Sequence, residues 1–127
     1  MRVLIVDDER SIRNSLKEIL CDEGYSVETA EDGIVALSIV EKEKFDVIFC
    51  DIKMPGMDGI EVLEKINSMG IDAAMVMISG HGTVETAVEA LKSGAYDFIV
   101  KPLDLNRLLV TTQRALEHKS LVQETKV

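Results

Sequence analysis

Val47-Ile48-Phe49-Cys50-Asp51, with Met54-Pro55-Gly56-Met57-Asp58-Gly59 close behind it, is the stretch that decides the fold. Its run of four apolar residues, rich in β-branched and aromatic side chains, has the length and character of a strand. No polar residue alternates within the run. Such a strand is covered on both faces, as in a parallel sheet flanked by helices. A charge enters only at its carboxyl end, and a proline-glycine turn then leads into a helix, with Asp58 placed three residues before Glu61 as an N-cap.

The same grammar repeats in both directions. Further apolar runs are Val3-Leu4-Ile5-Val6, the weaker Ser26-Val27-Glu28-Thr29-Ala30, Ala74-Met75-Val76-Met77-Ile78 and Phe98-Ile99-Val100. Between them lie segments of helical period, in which Ile12, Leu16, Ile19 and Leu20 share one face and Val84, Ala87, Val88 and Leu91 share another. Leu105, Leu108, Leu109, Thr112 and Leu116 repeat the pattern in the last segment. Thr83 and Asp104 are expected as N-caps, and Gly24, Gly70 and Gly94 as helix stops. Five βα units in succession predict an α/β protein with a doubly wound five-stranded parallel sheet. Residues 1–118 are expected to form one domain, followed by a polar tail or the start of a linker helix over 119–127.

Composition narrows the classes of function. The chain has 127 residues, 46% of them apolar, and 23 acidic against 14 basic side chains for a net charge of −9. That apolar content excludes a disordered chain, and the length suffices for one core. A pI near 4.7 argues against direct contact with nucleic-acid phosphates. No apolar run reaches the ~18–20 residues of a membrane span, so a cytoplasmic location is expected. Cys21 and Cys50 stand alone, form no zinc motif, and are expected as buried reduced thiols.

In a doubly wound sheet, ligands bind beyond the carboxyl ends of the strands. The runs end in Asp7-Asp8, Asp51, Ser79-Gly80 and Lys101-Pro102, and only the second run ends without a comparable group. That omission fits a flavodoxin-like strand order of 2-1-3-4-5, with the second strand at an edge. Each aspartate taken singly reads equally as a solvated strand-end residue, Lys101 as a snorkelling lysine and Ser79 as a turn hydroxyl. Together at adjacent strand ends, Asp7, Asp8 and Asp51 repel one another unless a cation intervenes, and an oxygen-only donor set suits Mg²⁺ with retained waters. Such a metal, with Lys101 and the Ser79 hydroxyl, suits a phosphoryl group, and Asp51 could be its nucleophilic acceptor.

These motifs in this order resemble the receiver domain of two-component response regulators, over Met1 to about His118. The resemblance implies that Asp51 accepts a phosphoryl group from a sensor histidine kinase. It implies Mg²⁺ held by Asp8, Asp51 and the backbone carbonyl of Lys53, with Asp7 assisting through water. Ser79 and Lys101 would contact the phosphoryl group, and Phe98 would be a switch aromatic linked to Ser79. Many relatives carry threonine at the Ser79 position; serine keeps the hydroxyl and lacks the methyl. Ser79-Gly80-His81-Gly82-Thr83 and Gly94-Ala95-Tyr96-Asp97-Phe98 are similar to the nitrogen-regulator (sigma-54 activator) class, as is the tail Ala115-Leu116-Glu117-His118. That class implies a transcription-activating output beyond this domain and a homodimer through the fourth helix, fifth strand and fifth helix. It also implies chemistry limited to the domain's own phosphorylation and dephosphorylation. The competing readings are a single-domain receiver, a flavin-type cofactor binder and an aspartate-nucleophile phosphatase. The acidic loop Asp7-Asp8-Glu9 disfavours the cofactor binder. Neither the spacing of the acids nor the length favours the phosphatase.

Overall fold

The structure is a computed structural model that describes residues 1–80 and 84–125, with side chains described as far as residue 117. Strands and helices alternate as β1 (Arg2–Val6), α1 (Arg10–Asp22), β2 (Ser26–Ala30), α2 (Gly33–Lys42), β3 (Val47–Asp51), α3 (Gly59–Ser68), β4 (Ala74–Ser79), α4 (Val84–Lys92), β5 (Asp97–Val100) and α5 (Leu105–Thr125). The strands form one parallel sheet in the order β2-β1-β3-β4-β5. Both the class and the order agree with the sequence-based expectation.

Register does the work of gathering the site. Val6 pairs with Cys50, Asp51 with Ile78, and Ser79 with Val100, so Asp7, Asp51, Ser79 and Lys101 emerge along one edge. The main chain holds that edge together, since Ile52 N–H donates to the Ile78 carbonyl at 2.9 Å and Lys101 N–H to the Ser79 carbonyl at 2.8 Å. Gly59 opens α3 against the end of β3. A side chain there would strike the Asp51 carbonyl and lie 2.7 Å from the Ile52 Cα, so the close approach requires glycine.

The alternation of side chains along the strands divides the core into two layers. Val3, Ile5, Phe49, Val76 and Ile78 face Leu16, Leu20 and Leu108 on the α1/α5 side. Leu4, Ile48, Cys50, Met75 and Met77 face the other side, with Val62, Leu63, Ile66 and Ala90 of α3 and α4. The buried methionines Met54, Met75 and Met77 all lie in this second layer, and the first holds none among the described residues.

Caps follow the expectation where they are described. Asp58 accepts from Glu61 N–H at 2.9 Å, and Asp104 accepts from Asn106 N–H at 2.8 Å. Gly24, Gly70 and Gly94 end their helices with positive φ. Thr83, with His81 and Gly82, lies outside the described residues.

Two of the apolar stripes are not wholly buried, and one expectation needs correction. The face of α4 built from Val84, Val88 and Leu91 is turned outward, with exposures of 80%, 42% and 49%, and the buried contact is made by Ala90. Periodicity shows which residues share a stripe, but here a smaller alanine side packs closer to the sheet. Leu105 is likewise exposed at the start of α5, although Leu108 and Thr112 of the same stripe are buried. Cys21 is exposed near the end of α1, whereas Cys50 is buried as expected.

Candidate functional site

The ends of four strands supply the site at the carboxyl edge, with Asp7 and Asp8 after β1, Asp51 on β3, Ser79 on β4 and Lys101 after β5. Asp7 continues β1 and is held on several sides. Its N–H donates to the Ala30 carbonyl at 3.2 Å, and its Oδ1 accepts from Glu9 N–H at 2.8 Å. Its carbonyl accepts from Arg13 Nη1 at 2.7 Å. Asp51 ends β3, and Lys101 follows β5. Lys101 Nζ lies 3.3 Å from Asp51 Oδ2 and 3.5 Å from Asp7 Oδ2, so it bridges two carboxylates that are only 4% and 1% exposed as residues.

Asp8 completes the cluster from a more exposed position. Ligand oxygens of Asp7, Asp8 and Asp51 all lie within 4.8 Å of one another. Asp7 Oδ2 is buried and receives no hydrogen bond, despite the nearby lysine. A buried carboxylate oxygen without a donor, beside two further carboxylates, is a donor set suited to a hard divalent cation. Three protein ligands leave room for waters or a substrate oxygen.

The electrostatics show how costly the acid cluster is without compensation. Burial raises the Asp7 carboxyl above the usual range and the Asp8 charge adds to this, while the Glu9 N–H and Lys101 oppose it. Burial likewise raises Asp51, helped by the Asp7 charge and opposed by Lys101. Burial works against the charge on Lys101, but Asp51 and Asp7 outweigh it and hold the ammonium above the ordinary lysine range. Cys50 is no rival nucleophile, because burial and then the neighbouring Asp51 charge push its thiol far up.

Ser79 is buried at the end of β4 and lines a cleft of about 570 Å³ shared with Lys53, Met54, Pro55, Thr86 and Glu89. Lys53 is exposed on the wall of this cleft, two residues beyond Asp51. Phe98 is half-buried and packs against the methionine-bearing layer, one strand away from Ser79. The structure thus brings Asp7, Asp8, Asp51 and Lys101 into direct proximity and places Ser79, Lys53 and Phe98 around them. Sequence reasoning missed Arg13. Its signal was an arginine in the early turns of the helix that follows the acid loop, which by spacing alone resembles any solvated helical residue.

Residues 3–113 match the response regulator receiver domain family. The nitrogen assimilation regulatory protein NtrX of Azorhizobium caulinodans is 48% identical over 126 residues, covering 98% of this chain and 28% of that protein. The regulatory protein AtoC of Escherichia coli is 39% identical over 123 residues, covering 97% and 27%. Among solved structures, NtrX of Brucella abortus in complex with ATP superposes with a TM-score of 0.93 at 42% identity, covering 98% of this chain and 29% of that one. Vibrio cholerae chemotaxis protein CheY4 superposes at 0.86 with 38% identity, covering 91% and 98%. The chain spans little more than a quarter of the length of the regulators it matches in sequence.

Proposed function

This chain belongs to the response regulator receiver domain family, and from that premise we propose that it is a phosphorylation switch with Asp51 as the phosphoacceptor. The observation that carries the reading is the bridge of Lys101 to Asp51 at 3.3 Å inside a cluster of three aspartates. A sensor histidine kinase supplies the phosphoryl group. Asp51 Oδ attacks phosphorus, the N–P bond of a phosphohistidine breaks as the new O–P bond forms, and the imidazole leaves with the bonding pair. Asp8, Asp51 and the Lys53 carbonyl would hold Mg²⁺, with Asp7 assisting through water. The bound ion supplies positive charge where negative charge spreads over the phosphoryl oxygens.

Lys101 pairs with a phosphoryl oxygen in place of the Asp51 carboxylate, and the Ser79 hydroxyl donates to another. Drawing Ser79 inward frees space for Phe98, whose ring already packs between β5 and the methionine layer. The change reaches the exposed apolar side of α4, with Val100 of β5 and Leu105 of α5, as altered dimerisation. Residues 1–118 form the receiver. The continuation of α5 to Thr125 begins the link toward a transcription-activating module of the kind expected in the nitrogen-regulator class. The domain catalyses only its own phosphorylation and dephosphorylation, and DNA is reached through that other module.

The test is labelling by acetyl phosphate with Mg²⁺. Wild-type protein should gain a base- and hydroxylamine-labile phosphoryl group that disappears with chelator and in Asp51→Asn. Full labelling of Asp51→Asn, or steady turnover of a phosphate ester as in an aspartate-nucleophile phosphatase, would overturn the reading.

A further inference from the structure

Arg13 reaches the acid cluster without pairing with a carboxylate. It is half-buried on α1, and its Nη1 donates to the main-chain carbonyl of Asp7 at 2.7 Å. Among the described residues it forms no ion pair. An arginine beside several aspartates ordinarily binds them directly, often bidentately. Here the guanidinium is directed to a neutral peptide oxygen instead.

That peptide joins Asp7 to Asp8. Two further groups of Asp7 are held, its N–H by the Ala30 carbonyl and its Oδ1 by the Glu9 N–H. Asp8 is the opposite case. Its side chain is exposed and, among the described residues, has no hydrogen bond or ion pair to orient it. The direction of its carboxylate therefore depends on the peptide plane that precedes it. Arg13 holds that plane from the adjoining helix, which is itself anchored in the core by Leu16 and Leu20.

We propose that Arg13 is a positioning residue for divalent-cation binding: by fixing the Asp7–Asp8 peptide, it presents the Asp8 carboxylate to the space shared with Asp51. This rests on the reading of the acid cluster as a Mg²⁺ site. The role is that of an outer-shell partner that orients a ligand it does not replace, a kind whose loss costs ~10–100-fold in metal affinity.

Charge and positioning predict opposite signs, which makes the idea decidable. A cation near a divalent-ion site repels the ion, so charge alone predicts that removing Arg13 tightens binding. Positioning predicts that removal weakens it. Arg13→Met keeps the length and helical preference of the side chain but has no donor and no charge. Arg13→Gln keeps a donor without the charge. Mg²⁺ dissociation constants are measured by calorimetry on the unphosphorylated chain at constant ionic strength, after circular dichroism has verified each fold.

The expected result is about tenfold weaker binding in Arg13→Met, most of it restored in Arg13→Gln. In an Asp8→Ala background, Arg13→Met should produce no further weakening. Equal or tighter binding in Arg13→Met overturns the proposal, as do Met and Gln variants that behave alike, or a full effect retained without Asp8. Wild-type protein that binds no Mg²⁺ overturns the proposal together with the reading it rests on. Wild-type binding with an unaffected Arg13→Met overturns the proposal alone.

Discussion

Helices α1 and α4 each follow a strand that ends in site residues, and each carries an apolar stripe, yet they use it in opposite ways. The first turns Leu16 and Leu20 into the core and supports them with Ile12 and Ile19. The second leaves Val84, Val88 and Leu91 outside and touches the sheet through Ala90. A helix that buries large side chains loses much free energy if it shifts, whereas one seated on small side chains loses little. The difference separates duties. The α1 side is anchored by large buried side chains next to the acid loop, and the α4 side is seated on a small one.

The sharpest way to break this comparison is to shorten one leucine on each helix. Leu20→Ala should cost about 3 kcal/mol of unfolding free energy, because a fully buried side chain leaves a cavity. Leu91→Ala, on the exposed stripe, should stay within about 0.5 kcal/mol in the same urea titration. Comparable losses at both positions would erase the distinction.

Next in size is the effect on association. Val88→Glu should weaken self-association of the phosphorylated chain by about tenfold, read by sedimentation velocity, with little change in unfolding midpoint. An unchanged dimer would move the output face away from α4.

Smaller again is an effect at the strand ends beneath α1. Asp7→Asn should stabilise the metal-free fold near neutral pH by about 1 kcal/mol, since the neutral amide avoids a buried carboxylate charge while its oxygen can still accept from Glu9. The sign follows from the direction of the Asp7 shift. A carboxyl raised in the folded state is worth most when protonated, and that stability is lost as pH rises through its folded value. The advantage of Asp7→Asn should therefore shrink as pH falls and vanish below about 3.8. Saturating Mg²⁺ should shrink it as well. An advantage independent of pH would mean that charge is not its cause.

The strands were legible because β-branched runs in this chain have no competing reading, and the order followed from the one run, Ser26–Ala30, that ends without a reactive group. Asp7, Asp8, Asp51 and Lys101 were legible as strand-end residues once the sheet was assumed parallel. The side of α4 that packs was not, because a hydrophobic stripe records spacing and not the depth of the groove beneath it. Ala90 wins that contest by being small. The unequal exposure of Asp7 and Asp8 was hidden too, since it depends on β2 and α1 closing over one residue and not its neighbour. Arg13 was invisible because a side chain that bonds to a main-chain carbonyl leaves no complementary residue type to search for.

The segregation of Met54, Met75 and Met77 into one of the two core layers has a mechanical consequence. Both layers are rich in valine and isoleucine, but unbranched thioether side chains adapt their shape more readily than branched ones, so the three methionines give one layer an adaptability that the other lacks. Force delivered at the carboxyl edge is not shared equally between two such faces. In this chain α4, through Ala90, rests on the face that holds the three methionines.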